Sequence, residues 1–150
     1  MTKPATLLGT SLFIKIGDGA AEDESFAHPV MINTDRGLQF STSGQEDYVY
    51  DPADPDAPAW ADFYKTGMSL QVSGSGKLDL ASLDDYFTWL ASDDAKNAQI
   101  WFGGATAPHI DGGLKLTDFQ VTGPGGTGRT TCTVSLTFRS HGALIFTAGT

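Results

Sequence analysis

The sequence predicts a mainly β domain built of antiparallel strands with one flanking α-helix. Three observations carry this. Apolar and polar residues alternate at period two over most of the chain. They alternate most cleanly near the end, where Cys132, Val134, Leu136 and Phe138 share one face while Thr131, Thr133, Ser135, Thr137 and Arg139 share the other. Only one segment shows a helical stripe instead: Leu80, Leu83, Phe87 and Leu90, with Asp84, Asp85 and Thr88 facing away. Glycine clusters punctuate the remaining segments, as turns between strands require.

Taken in order, Leu8 to Ile16 forms a first strand, with Leu12, Ile14 and Ile16 on one face, and Gly17-Asp18-Gly19 stops it. Glu22-Asp23-Glu24 follows as a solvated turn. Val30 to Ile32 and Arg36 to Ser43 are short strands. A long loop is expected over 45–62. Pro52, Pro55 and Pro58 exclude a helix or a central strand through it, yet it keeps Tyr48, Tyr50 and Trp60. Long loops in small domains are commonly functional, and the aromatics favour that reading. Strand character resumes at Met68 to Val72. Asp79 is placed to cap the helix, expected over about 79–92, and Asp84 and Asp85 suit its N-terminal dipole. A short strand at Gln99 to Phe102 ends at Gly103-Gly104. Leu114 to Thr122 and Thr130 to Arg139 form a hairpin across the glycine-rich 123–128 segment, and Ala143 to Thr147 is a last short strand.

With 150 residues the chain suffices for one domain that buries about 70% of its unfolded surface and needs no covalent staple. Eighteen acids against nine bases give a formal charge of −9. That balance argues against gripping nucleic acid or an anionic membrane through a basic face. One cysteine excludes an intramolecular disulfide and a multi-cysteine metal cage. No apolar run reaches the roughly 20 residues of a membrane span. The first residues, Met1-Thr2-Lys3-Pro4-Ala5-Thr6, lack the features of a signal peptide, so a soluble, cytosol-compatible domain is expected.

Each candidate chemical motif has a plainer explanation. Gly74-Ser75-Gly76-Lys77 suggests a phosphate loop, but that spacing needs glycine at 71 and Ser/Thr at 78, where Gln71 and Leu78 stand. Asp51, Asp54 and Asp56 lack the central glycine and closing glutamate of a calcium loop, so a solvated acidic loop is the default. His28, His109 and His141 have no zinc-ligand spacing and read as surface histidines. No nucleophile motif is present, so neither catalysis nor a cofactor is expected. Cys132 reads as a buried inert thiol. Trp89 and Trp101 read as core, whereas Trp60 in the acidic loop is the best candidate for a partner surface. A small β-sandwich that binds carbohydrate or protein through Trp60 is the competing reading.

The segment from Gly74 to Thr147 resembles the tail tube (major tail) proteins of long-tailed, non-contractile bacteriophages and related gene transfer agents. The resemblance lies in Ser-Gly-Ser-Gly-Lys-Leu-Asp (73–79) entering the one helix, a short strand, a glycine-containing turn and two long strands. It extends to the close, Thr-Val-Ser-Leu-Thr-Phe-Arg-Ser-His-Gly-Ala-Leu-Ile-Phe (133–146). The N-terminal half matches in layout, with an arm at about 1–7 and a long loop before the strand that precedes the helix. The family implies a β-sandwich or barrel with one flanking helix, stacked as hexameric rings whose inner sheets join around a lumen through which DNA passes. It also implies a tape measure protein in the lumen, terminator and distal tail proteins at the ends, and a place in the virion tail after assembly in the bacterial cytoplasm. Tubes of contractile tails and secretion systems are the near alternative.

On this reading the 45–62 loop and the arm reach adjacent rings. Tyr48, Tyr50 and Trp60 serve as anchors, and Glu46, Asp47, Asp51, Asp54 and Asp56 seek basic partners such as Arg36 or Arg129. The hydroxyl face of Thr131, Thr133, Ser135 and Thr137 suits a wet wall, either lumen or outer surface. A negative wall would repel phosphates and offer passing DNA no adhesion.

Overall fold

Alternation governs the architecture more fully than the sequence suggests. The computed structural model describes residues 5–17, 26–32, 34–104, 106–126, 128 and 131–149. Its strands are β1 (Leu12–Gly17), β2 (Phe26–Ala27), β3 (Asp35–Val49), β4 (Trp60–Lys77), β5 (Lys96–Phe102), β6 (His109–Thr122) and β7 (Thr133–Thr147). They form one sheet in the order β2-β1-β5-β6-β7-β4-β3, antiparallel throughout and open at both ends. The sheet therefore has the mainly β, one-helix character expected, but its strands are hydrogen-bonded as a single sheet that is not closed into a barrel.

The helix α1 spans Leu83–Ala91, shorter than the expected 79–92. Asp79 builds the preceding turn instead of capping: its carboxylate accepts from Ala81 N at 3.2 Å and from Ser82 Oγ at 2.8 Å. The inward face also differs. Trp89 is buried, with Tyr86 and Leu90 packed against the core, while Leu80 and Phe87 of the expected stripe are exposed. Counted from Tyr86, the inward residues fall at i, i+3 and i+4, a helical spacing displaced from the stripe read at Leu80.

Other boundaries moved for local reasons. Gly9–Ser11 is a 3-10 turn ahead of β1, and Val30–Ile32 is another, not a strand. The latter places Met31 and Ile32 fully inside. In the last third, Ala143 to Thr147 is no separate strand: β7 runs through Ser140-His141-Gly142, with Gly142 at φ +82°. That left-handed value favours glycine. A register shift on β6 between Asp111 and Gly113 accommodates the irregularity. The expected hairpin is present, Thr122 pairing with Thr133. Residues 1–4, the 22–24 acidic run, Arg129 and Thr130 lie outside the described residues.

The core lies on one face of β4, β6 and β7, closed over by β1, β5, the 30–32 turn and α1. Leu70 and Val72 of β4, Val134, Leu136 and Phe138 of β7, and Leu114 and Leu116 of β6 are buried there with Ile14 and Ile100. Gly74 has a definite task. A Cβ at this position would sit 2.5 Å from Ile32 Cγ2 and 2.7 Å from its Cβ, inside contact distance. Gly74→Ala should therefore cost about 1–3 kcal/mol through overpacking, read as a fall in Tm on the order of 5 °C. An unchanged Tm would show that the 30–32 turn yields freely.

Candidate assembly surface

The expected 45–62 loop is mostly a β-hairpin. Val49 pairs with Trp60, Tyr48 with Ala61, Asp47 with Asp62 and Glu46 with Phe63. All three prolines fall in the 50–59 connection, so they delimit the loop without interrupting the ladder. Asp51 shapes that turn: its Oδ1 accepts from Ala53 N at 3.0 Å, and its carbonyl accepts from Asp54 N at 3.1 Å. Asp54 repeats the pattern, its carbonyl accepting from Ala57 N at 3.2 Å.

This hairpin projects beyond the sheet. β4 pairs with β7 only from Gln71 to Lys77, with Leu70 N still donating to Ser140 Oγ of β7 at 3.0 Å, so the stretch from Trp60 to Ser69 has β3 as its sole neighbouring strand among the described residues. A two-stranded ribbon is marginal alone in water. A bulge at Thr66 twists it: Ser43 pairs with Gly67, the next residue Gly44 with Lys65, and Thr66 Oγ1 donates to the Ser43 carbonyl at 3.3 Å. Gly44 is required there, because a Cβ would lie 2.4 Å from the Tyr64 carbonyl oxygen.

The ribbon is apolar where none of the described residues covers it. Trp60 is 85% exposed and Met68 84%, values of a side chain standing in solvent. Phe40, Tyr48, Val49, Tyr50, Phe63 and Tyr64 are exposed as well. Strand alternation places Phe40, Tyr48, Phe63 and Met68 on one face and Val49, Trp60 and Tyr64 on the other. Exposed aromatics on both faces of one ribbon form a surface that water does not favour. Glu46, Asp47, Asp51, Asp54, Asp56 and Asp62 line the same ribbon and its turn, with no base between 45 and 62. Tyr48 Oη donates to Glu46 Oε2 at 3.4 Å.

Arg36 is remote from those acids. It lies at the opposite end of β3, and its guanidinium Nη1 donates to the carbonyl of Leu12 on β1. Thr133 and Ser135 are exposed and Thr137 half-buried, all turned away from the core, and Thr131 just before β7 is exposed too. They share a polar face with Gln39 and Ser41 of β3 and Gln71, Ser73 and Ser75 of β4. Sequence reasoning missed Phe40, Phe63, Tyr64 and Met68. Their signal was the alternation flanking the prolines, visible in Trp-Ala-Asp-Phe-Tyr (60–64).

Two of the three histidines are less superficial than expected: His28 and His109 are half-buried, while His141 is exposed. His28 Nδ1 lies 2.9 Å from the Ile14 carbonyl oxygen and 3.3 Å from its amide nitrogen, and Nε2 is buried with no partner among the described residues. Burial lowers its pKa below 6.5, aided by the positive charges of Arg36 and Lys15, against the Ile14 hydrogen bond. A base whose pKa is depressed on folding favours the folded state above its unfolded pKa, and the contribution is lost as pH falls. Thermal stability should therefore decline below about pH 6.5, less steeply in His28→Gln; identical slopes would exclude His28 as the source. His109 stacks on Trp101 with ring centroids 4.1 Å apart and lies 3.2 Å from Asp111. Trp89 is core, as expected, with its ring 5.5 Å from Phe138. Among the described residues no group of His, Cys, Asp and Glu is placed to hold a metal, and no helix is long and apolar enough to cross a membrane.

No family model and no curated protein matches the sequence. Solved structures do. A chain from the tail of an empty gene transfer agent particle, refined with C6 symmetry, superposes with a TM-score of 0.71 at 17% identity, covering 95% of this chain and 100% of that one. The chain has the tail tube fold. The SPP1 tail tube matches at TM-score 0.63 and 9% identity, covering 97% of this chain and 80% of that one. A chain of the sheath-tube complex of an extracellular contractile injection system, PVC, matches at 0.62 and 12%, over 95% and 92% of the two chains. At these identities the likeness is one of fold.

Proposed function

We propose that this protein is a structural, non-catalytic subunit of a phage-type tail tube, forming stacked hexameric rings around a lumen that conducts DNA. The observation that carries the reading is the projecting hairpin, apolar on both faces and uncovered by the described residues of its own chain. A monomer has no use for that surface, and a neighbouring copy supplies its cover. Tyr48, Tyr50 and Trp60 act as anchors between rings, while the acids around them set charge complementarity with a neighbour's basic groups, Arg129 among them. Arg36, already bonded to Leu12, is not free for that task.

The polar face of β3, β4 and β7, with Thr131, Thr133, Ser135 and Thr137, forms the lumen wall. Hydroxyls and amides predominate there, and the acids concentrate at the hairpin. Lys77, Lys115 and Arg139 stand on that face too, so passing DNA meets a few cations set among hydroxyls and amides, not a continuous basic groove. A tape measure protein occupies the lumen before ejection, and terminator and distal tail proteins close the ends. The protein belongs to the virion tail, assembled in the host bacterial cytoplasm. Gene transfer agent chains superpose at TM-scores of 0.71 and 0.68, while the SPP1 tail tube at 0.63 and the injection-system and anti-feeding prophage chains at 0.62 to 0.64 do not separate the two kinds of tail.

Negative-stain microscopy and light scattering over a concentration series test this. Rings or tubes are expected, and a strictly monomeric protein at high concentration would point to the small binding module instead.

A further inference from the structure

This acidic chain gathers positive charge at one place on its polar face. Lys115 of β6 pairs directly with Arg139 of β7, and the next residue of β7 on that side, His141, pairs with Gly113. Like charges set opposite each other across a ladder repel. One ion pair relieves them: Asp93 Oδ1 accepts from Lys115 Nζ at 2.9 Å. Lys115, by its hydrogen bond and charge, and more weakly His141 hold the Asp93 carboxyl below the usual carboxylate range. Arg139 and His141 are exposed, and Arg139 has no hydrogen bond or ion pair with any described residue. Asp118, opposite Thr137, is the next acid on this face. Other cations are occupied or solitary. Arg36 donates to the Leu12 carbonyl, and Lys15 and Lys96 lie over aromatic rings. Lys65 belongs to the hairpin, and Lys77 stands about 20 Å along β4 from Gln71.

We infer that Lys115, Arg139 and His141, with the amides of Gln71 and Gln39 beside them, form a contact for the phosphodiester backbone of nucleic acid, one on each copy. Its place on the lumen wall rests on the tube reading; its chemistry does not. Lys115, Arg139, Gln71 and Gln39 stand in one row across four strands. Each offers N–H donors, and ammonium, guanidinium and amide groups are what phosphate oxygens accept from. The unpartnered guanidinium adds a planar fork that fits two oxygens of one phosphate.

The surroundings favour a polyanion over an acidic protein segment. A protein partner draws its hold from an apolar centre that both sides bury. Around Arg139 the neighbours on this face are Lys115, Gln71, Thr137 and His141, and none is apolar. A polyanion needs no such centre. The net charge of −9 keeps the contact weak. Asp93 competes for Lys115, so a phosphate is taken up and given back at little cost. With His141 counted as neutral, two charges are engaged.

Titrating dilute protein, dye-labelled at its N-terminus, with a short DNA duplex of mixed sequence tests the contact. Binding at low salt is expected, with affinity falling roughly 60-fold for each tenfold rise in salt. Arg139→Gln should reduce that dependence to about 8-fold, whereas Arg139→Lys keeps it and Asp93→Asn, by freeing Lys115, tightens binding. Lys65→Gln removes the same charge from the hairpin and should leave the salt dependence unchanged. All four positions are exposed, and circular dichroism checks that each variant is folded. Absence of binding at low salt, or an equal loss in Arg139→Gln and Lys65→Gln, would overturn the contact. Polyglutamate binding as tightly as the duplex would assign the patch to an acidic protein instead. Microscopy of the same protein separates the two readings. Tubes from protein that ignores the duplex sink the contact alone; duplex binding by protein that never forms rings or tubes sustains the contact and sinks the tube reading.

Discussion

Replacing Trp60, Phe63 and Met68 together by serine should leave the monomer folded and abolish assembly. All three lie on β4 before Gln71, where the strand has β3 alone beside it, and none belongs to the core. Their exposures of 85%, 53% and 84% mean that truncation removes little intramolecular packing. As interface anchors each is worth on the order of 2 kcal/mol, so association should weaken by at least about 1,000-fold even with incomplete additivity. Microscopy should show no tubes while the circular dichroism spectrum and Tm match the parent. Deleting 46–60 should act the same way, because the segment lies wholly in the projecting hairpin and its turn. Tubes of normal length from either variant would remove the hairpin from the assembly surface.

The second large effect is on folding. Phe138→Ala should destabilise the monomer by about 3–5 kcal/mol, lowering Tm by on the order of 10 °C. Phe138 is fully buried, pairs across strands with Val72 and Leu116, and packs its ring 5.5 Å from Trp89. It therefore ties β4, β6, β7 and α1 into one core, and its removal leaves a cavity that three strands cannot close without shifting register. Thermal melts of dilute protein measure this apart from assembly. A loss below about 1 kcal/mol would mean that the site collapses around the gap.

These contrasting expectations show how much of the molecule was legible in the sequence. The β7 alternation was read correctly because Val134, Leu136 and Phe138 stay in phase with one buried face. The hairpin was misread because its apolar residues stand on both faces, which erases the one-sided pattern that marks a strand packed on its own core. Prolines confined to the turn then made the whole stretch look irregular. The helix stripe was misplaced because Leu80 and Phe87 are apolar and yet exposed, so the periodicity carried a surface signal as well as a core one. The side-chain contacts to the β1 backbone were not legible at all. They depend on His28 and Arg36 reaching backbone groups 14 and 24 residues away, which only the folded chain defines.

The projection of the hairpin from one end of the sheet has a consequence for the proposed assembly. A ring built by rotation alone has no two-fold axis between neighbours, so every hairpin would point along the tube the same way. One end of such a tube would be fringed with aromatic, acidic tips and the other would present the surface that receives them, so no single capping protein would fit both ends. Such a conduit would be directional before anything enters it.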